Sequence, residues 1–180
     1  DRVAILSRNC IEYMEIYYAC ARVGMIAQPI NWRLGEAEMA RILADGSPRL
    51  VVVSAQYSEL IPGLKASSTA DNWLSFGEGS DGSYDALINA SADNEPSESV
   101  SIGGDDPMLI LYTGGTTGES KGALHTHRSL FMGMINQTVA ERVVTTDVYM
   151  LTGQMFHIPV ALAMNYHAHG CAMEIGRAHV

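Results

Sequence analysis

Glycines, threonines and a single lysine are concentrated in the stretch from Tyr112 to Gly122, which reads YTGGTTGESKG. Successive glycines allow several backbone N–H groups to point into one concavity, and such a nest binds phosphate oxygens. The threonine hydroxyls add further donors, and the lysine adds a point charge at the end of the run. The stretch therefore predicts a polyphosphate-binding loop. Its candidate ligand residues are Thr113, Gly114, Gly115, Thr116, Thr117, Gly118 and Lys121.

Lys121 is set apart from the other basic residues of the chain. It is one of two lysines, and the only lysine or arginine between Lys65 and Arg128. Residues 66–120 contain ten acidic residues and no lysine or arginine, so the net charge of −9 lies in this stretch and the rest of the chain is at about +1. This balance disfavours a nucleic-acid partner. A lone cation beside an acidic stretch indicates a functional charge rather than a general surface residue.

Other interpretations of the glycine-rich stretch stay open. It fits a hairpin loop with no function. A Walker P-loop does not fit, because Ser120 precedes the lysine and Gly122 follows it, where the motif requires glycine and a hydroxyl residue. GESKG matches the G-x-S-x-G pattern of a serine hydrolase, with Ser120 as nucleophile, but a nucleophile elbow turns directly from a strand into a helix. A nucleotide-binding module without catalytic activity is a further alternative.

The elements before the loop alternate between strands and helices. Strands are predicted in RVAILSRN, MIAQPIN and RLVVVS. Between them, a helix is predicted from about Cys10 to Val23, with Asn9 as N-cap and Gly24 as the residue that ends it, and a second helix is predicted in GEAEMARILADGSP. This order predicts an α/β fold with mainly parallel sheets flanked by helices.

The elements after residue 66 begin with a polar segment. Residues 66–106 are rich in Ser, Asp, Asn and Gly, which predicts an acidic surface connector with one exposed helix in SYDALINA. From Pro107 the core pattern returns, with strands in MLILYT and GALHTH on either side of the loop. A helix from Ser129 to about Arg142, a strand in DVYML and a helix in IPVALAMNYHAHG that closes at Gly170 complete the pattern.

Composition indicates a globular domain. The chain has 180 residues, of which 47% are hydrophobic and 17% charged, and no apolar run has the length of a transmembrane segment.

Three widely spaced cysteines do not form a disulfide framework, so we expect a reducing, cytoplasmic location. They are Cys10, Cys20 and Cys171.

The six histidines raise the question of a metal site. Two His-x-His pairs occur, at His125 and His127 and at His167 and His169. Neither pair has a carboxylate or cysteine partner at ligand spacing, and the second pair is expected at a helix end, where the rings diverge. We therefore predict no metal site.

Three segments carry a resemblance to a known family. YTGGTTGESKGALHTHRSL resembles the phosphate-binding signature of the adenylate-forming (AMP-binding) superfamily, with Ser120 where proline is usual. The opening segment, from DRVAIL to NWRL, and the later MFHIPVALAMNYHAHG are also similar to family segments, with Gln154 where proline is common. NWRL and MFH favour the acyl-CoA synthetase branch.

The resemblance implies a function. Members of the family activate a carboxylic acid with ATP as an acyl-adenylate, and a thiol, here coenzyme A, then displaces AMP. The loop and Lys121 would hold the ATP phosphates and stabilise the leaving pyrophosphate, together with magnesium. His157 would border the acyl pocket, although a purely structural histidine is an equal alternative. A fatty acid is the first choice of substrate and an aryl acid the second.

The resemblance also implies a domain organisation. We expect residues 1–173 to form the first part of the large N-terminal domain of the fold. Residues 174–180, EIGRAHV, break the expected strand pattern and equal the translation of a common sequencing-library adapter, so we expect a non-native tail there. The 180 residues alone are expected to be inactive.

Overall fold

The computed structural model describes residues 1–94, 100–113 and 120–176. Residues Gly114 to Gly118 of the predicted phosphate loop therefore lie outside the described residues. The two ends of the loop, Thr113 and Lys121, are described.

A six-stranded sheet forms the centre of the chain. Its strands are β1 (Arg2–Leu6), β2 (Ile26–Pro29), β3 (Leu50–Ser54), β4 (Asn72–Phe76), β5 (Pro107–Tyr112) and β6 (Gly122–Thr126). Their order across the sheet is β4-β3-β1-β2-β5-β6. The first five strands are parallel, and β6 is antiparallel to β5. A second, two-stranded parallel sheet contains β7 (Val148–Leu151) and β8 (Ala172–Ile175).

Within the described ranges, six α-helices connect the strands. They are α1 (Ile11–Val23), α2 (Glu36–Gly46), α3 (Ile61–Ala66), α4 (Ser83–Ala90), α5 (His127–Glu141) and α6 (Pro159–Ala168), with a 3-10 helix at Ala55–Leu60. The predicted α/β fold with a mainly parallel sheet is confirmed. No helix in the described part of the chain is long and apolar enough to cross a membrane.

The ends of α1 test the predicted caps. Gly24 adopts the left-handed conformation with φ 71°, as predicted for the residue that ends the helix. The prediction of Asn9 as N-cap is wrong, because Cys10 holds that position and makes no side-chain capping bond. The Asn9 side chain bonds instead to residues far along the chain.

The main sheet is covered on both faces. Along β1, Val3 and Ile5 are buried in one core cluster with α1, while Ala4 and Leu6 are buried in a second cluster with α2. This alternation follows from the two-residue period of a strand. It explains why the sheet strands are apolar on both faces, as expected for parallel sheets in α/β proteins.

The predicted surface connector at 66–106 contains more structure than expected. β4 lies in this range and pairs in parallel with β3 as one edge of the main sheet. Phe76 and Tyr84 are buried in the first core cluster. The predicted helix in SYDALINA is α4, and the Tyr84 hydroxyl donates a hydrogen bond of 2.7 Å to Glu15 of α1. The range is thus part of the domain rather than a simple connector.

Helix α5 exposes apolar side chains. No residue of this helix is buried, and Phe131 and Val139 are 58% and 74% exposed. The structure thus presents an apolar surface along one helix, beside the loop-bearing strand pair.

Candidate phosphate-binding site

The loops that could bind a ligand emerge at one edge of the main sheet. Because β1, β2 and β5 are parallel, their carboxyl ends lie at the same edge. Ligands of α/β proteins bind outside this edge. Thr113, the first residue of the predicted phosphate loop, follows β5 directly and so lies at the edge where a ligand is expected.

The two ends of the phosphate loop meet at the base of a hairpin. Tyr112 of β5 lies directly opposite Gly122 of β6. Beyond this pair, the Thr113 N–H donates a hydrogen bond of 3.0 Å to the Lys121 carbonyl, and the Thr113 hydroxyl lies 3.4 Å from the same oxygen. The structure therefore brings together the first and last of the predicted phosphate ligands.

Lys121 keeps its charge available. Its side chain is exposed, and no carboxylate of the described residues lies within ion-pair distance of it. The next basic residue along the chain, Arg128, donates a hydrogen bond of 2.8 Å to Asp105, which lowers the pKa of that carboxyl group. Of these two cations, Arg128 pairs with a carboxylate, whereas Lys121 has no ion-pair partner among the described residues.

Tyr112 links the base of the loop to a neighbouring helix. Its hydroxyl donates a hydrogen bond of 2.6 Å to Oδ2 of Asp45, at the end of α2. Burial, and then this bond to a carboxylate, raise the pKa of Tyr112, so the hydroxyl stays protonated and remains a donor. Sequence analysis did not identify this pair.

A second group of contacts holds the segment between β7 and α6, which contains His157. The Asn9 side chain donates a hydrogen bond of 2.7 Å to the Gly153 carbonyl and accepts one of 2.9 Å from the Met155 N–H. The buried Tyr17 hydroxyl donates to the Met155 carbonyl at 3.2 Å. These contacts fix the segment against β1 and α1.

Trp32, in the loop after β2, contacts the same segment. Its indole N–H donates a hydrogen bond of 3.0 Å to Gln154, and its ring packs edge-on against Phe156. Two exposed arginines flank the indole, with the guanidinium carbons of Arg8 and Arg33 at 5.0 and 5.1 Å from the ring centre. Sequence analysis missed this cluster, although Arg8 lies at the end of one predicted strand segment and Arg33 shortly after another, which could have indicated it.

His157 lies in the anchored segment, two residues before α6. Its side chain is exposed, and its backbone N–H donates to the Gln154 carbonyl at 3.1 Å. No hydrogen bond or ion pair within the described ranges joins it to Thr113 or Lys121. The structure thus places His157 and the loop base in two separate groups.

The geometry around Ser120 does not match a hydrolase. β6 begins two residues after Ser120 and runs antiparallel to β5. A nucleophile elbow requires a helix at this position.

The histidine pairs do not converge on a metal. The ring of His167 lies 2.9 Å from the Tyr18 hydroxyl, whereas that of His169 lies 2.9 Å from the Thr138 hydroxyl. Over residues 1–94, 100–113 and 120–176, no group of three or more His, Cys, Asp or Glu could hold a metal ion.

Comparison with known proteins establishes the family. Residues 1–176 match the family described as AMP-binding enzyme, and the chain belongs to it. The chain is 34% identical over 172 residues to the long-chain-fatty-acid–CoA ligase FadD13 of Mycobacterium tuberculosis, covering 93% of this chain and 33% of the relative. It is 32% identical over 158 residues to an indoleacetate–CoA ligase of Aromatoleum aromaticum, covering 87% of this chain and 31% of the relative.

A solved structure shows the same fold. The inhibitor-bound crystal structure of the N-terminal domain of FACL13 from Mycobacterium tuberculosis matches with a TM-score of 0.89 and 29% identity, over 100% of this chain and 45% of that chain. The resemblance inferred from the sequence is thus confirmed. The chain spans about a third of the length of the curated relatives it matches.

Proposed function

We propose that the whole protein is an AMP-forming acid–CoA ligase. It would activate a carboxylic acid with ATP and transfer the acyl group to coenzyme A. The observation that carries this proposal is the position of Lys121. Its exposed cation stands at the end of a Gly/Thr loop whose two ends, Thr113 and Lys121, are joined by a hydrogen bond at the carboxyl edge of a parallel sheet.

The chemistry proceeds in two steps. A carboxylate oxygen bonds to the α-phosphorus of ATP, and the oxygen that bridges the α- and β-phosphates leaves with pyrophosphate. The thiol of coenzyme A then bonds to the acyl carbon, losing its proton, and AMP leaves. Negative charge grows on the departing pyrophosphate in the first step, where fixed donors stabilise it most effectively.

The phosphate loop supplies those donors in this proposal. Lys121 offsets the developing charge, and Thr113 together with the glycine and threonine residues of 114–118 binds the phosphate oxygens. Magnesium would share the charge when bound. No step here depends on a magnesium ligand of this chain.

We propose a fatty acid as the substrate, with an aryl acid as the second choice. The two relatives support these classes, because one is a long-chain-fatty-acid–CoA ligase and the other an indoleacetate–CoA ligase. His157 would border the acyl channel, which its exposed ring on an anchored segment supports. A cytoplasmic location is supported by three cysteines that form no disulfide.

We also propose that the 180 residues do not catalyse the reaction alone. The chain spans about a third of the length of its curated relatives, and α5 exposes large apolar side chains, with Phe131 58% and Val139 74% exposed.

The test is product analysis with a panel of acids. The full-length protein, given ATP, magnesium and coenzyme A, should release AMP and form the acyl-CoA only when a suitable acid is present. Hydroxylamine should trap the acyl-adenylate when coenzyme A is omitted. Binding of ATP without acid-dependent AMP release or pyrophosphate exchange for any fatty or aryl acid would favour a non-catalytic nucleotide-binding module. The isolated 180-residue chain should form no product in the same assay.

A further inference from the structure

Tyr112 and Gly122 form an unusual pair at the base of the phosphate loop. They are direct partners on β5 and β6. A Cβ atom at Gly122 would lie 3.2 Å from Cζ of Tyr112 and 2.6 Å from Cδ1 of Ile110, so these side chains fill the space that a side chain on β6 would need. An aromatic ring packed over a glycine on an edge strand is a device that fixes strand register.

The other end of the Tyr112 ring is also held. Its hydroxyl bonds to Asp45 at 2.6 Å, and Asp45 belongs to the last turn of α2. This helix is firmly placed, because Ile42 and Leu43 are buried in the second core cluster. Tyr112 therefore connects a fixed helix to the strand that begins directly after Lys121.

The register of β6 matters because it determines the side from which Lys121 projects. A slip of one residue turns every side chain of a strand to the opposite face of the sheet. Among the strands that the structure describes, β6 pairs with β5 alone, and this pairing is irregular between Pro107 and Leu109. Backbone pairing alone therefore constrains the register less than it would in a central strand.

We propose that Tyr112 is a positioning residue for catalysis. Held by Asp45 and packed over Gly122, it fixes the register of β6 and thereby the position of Lys121 relative to the ATP phosphates. This inference rests on the proposed function of the loop. It assigns no contact between Tyr112 and the substrate, so its effect is expected in the affinity for ATP rather than for the acid.

The experiment compares two tyrosine variants of the full-length protein. Tyr112→Phe removes only the hydroxyl that bonds Asp45. Tyr84→Phe is the matched control, because it removes a similar bond, of 2.7 Å, between a tyrosine hydroxyl and Glu15 on another part of the domain. Tyr112→Phe should raise the KM for ATP about three- to tenfold with the KM for the acid unchanged, whereas Tyr84→Phe should change neither.

Two Asp45 variants provide an independent check. Asp45→Ala should reproduce the change in the KM for ATP, and Asp45→Asn, which keeps an oxygen acceptor, should largely restore the wild-type value. If Tyr112→Phe does not fold, the two Asp45 variants still test whether the bond between Tyr112 and Asp45 affects the KM for ATP. The proposal is overturned if Tyr112→Phe and Tyr84→Phe behave alike, or if the KM for ATP is unchanged in Asp45→Ala.

Amide hydrogen exchange separates this inference from the proposed function. The Thr113 N–H, which bonds the Lys121 carbonyl, should exchange faster in Tyr112→Phe than in the wild type or in Tyr84→Phe. A wild-type protein that shows no acid-dependent use of ATP would contradict the proposed function, whereas unchanged exchange at Thr113 would contradict the role of Tyr112 in fixing the register.

Discussion

The indole N–H of Trp32 donates a hydrogen bond of 3.0 Å to Oε1 of Gln154, which joins two segments separated by 122 residues of chain. Gln154→Leu should leave this partly buried donor without a partner and weaken the segment before α6 by about 1 kcal/mol. The measurement is the free energy of local opening at the Met155 N–H, obtained from amide hydrogen exchange. Gln137→Leu, on the exposed side of α5, is the matched control and should leave this value unchanged. Equal effects of the two variants would contradict a specific role for the Trp32–Gln154 bond.

Two glycines should respond in opposite directions to replacement by alanine. Gly24 ends α1 at a φ of 71°, and its added Cβ would lie 3.3 Å from a methyl group of Val100, so Gly24→Ala should destabilise α1 by about 1 kcal/mol or more. Gly133 lies inside α5 with nothing within 4 Å of an added Cβ, so Gly133→Ala should stabilise that helix by about 1 kcal/mol. Amide exchange in each helix provides the measurement. Protection that rises in Gly24→Ala, or falls in Gly133→Ala, would show that the backbone conformations differ from those described.

Asp81 gives a prediction for acid pH. Hydrogen bonds from the side chain of Ser75 and then Ser83 lower its pKa from 3.8 to about 2. Because the folded pKa is depressed, the stabilisation from the ionised carboxylate is present above pH 3.8 and is lost as the pH falls from there to about 2. An NMR titration of the Asp81 carboxyl carbon should show the low midpoint. Ser75→Ala should move that midpoint towards 3.8 by more than Ser83→Ala does. An unchanged midpoint in Ser75→Ala would show that the hydrogen bond from Ser75 does not lower the pKa of Asp81.

The sequence was informative for features that depend on residues close together along the chain. The elements before residue 55 and after residue 106 followed from hydrophobic period, and Gly24 identified the end of α1, whereas α3 and β4 were not predicted. The two strands that flank the glycine-rich stretch were also predicted, and because they pair in antiparallel fashion, Thr113 and Lys121 meet. The family was identifiable from the same stretch, because its spacing of glycine, threonine and lysine is long and specific.

The features that sequence analysis missed depend on distant partners. Asn9 has the properties of a local helix cap, yet its side chain bonds Gly153, 144 residues away. The bond between Tyr112 and Asp45 spans 67 residues. β4 was not recognised because an edge strand is partly exposed and carries polar residues, so it resembles the polar segment that surrounds it. Such contacts have no periodic pattern from which they could be predicted.

The proposed acyl channel is tested at His157. His157→Phe should shift the preference for acid chain length while leaving the KM for ATP nearly unchanged, because the exposed ring lies in a segment separate from the loop base. His167→Phe, which alters an exposed histidine near the other end of α6, should leave the acid profile unchanged. The measurement is kcat/KM over a series of fatty acids. An unaltered acid profile with a raised KM for ATP in His157→Phe would contradict a position of His157 beside the acyl channel.

Acid-dependent exchange of labelled pyrophosphate into ATP tests the central claim, that Lys121 serves the adenylation step. The variant is Lys121→Ala in the full-length protein, and the matched control is Lys65→Ala, the only other lysine, whose ammonium lies 5.6 Å from the ring centre of Trp73. Loss of one charge-assisted phosphate contact costs about 1–3 kcal/mol in the transition state, so exchange should fall about five- to 150-fold in Lys121→Ala. Lys65→Ala should retain the wild-type rate. A wild-type rate of pyrophosphate exchange in a folded Lys121→Ala variant would contradict a role for Lys121 in adenylation.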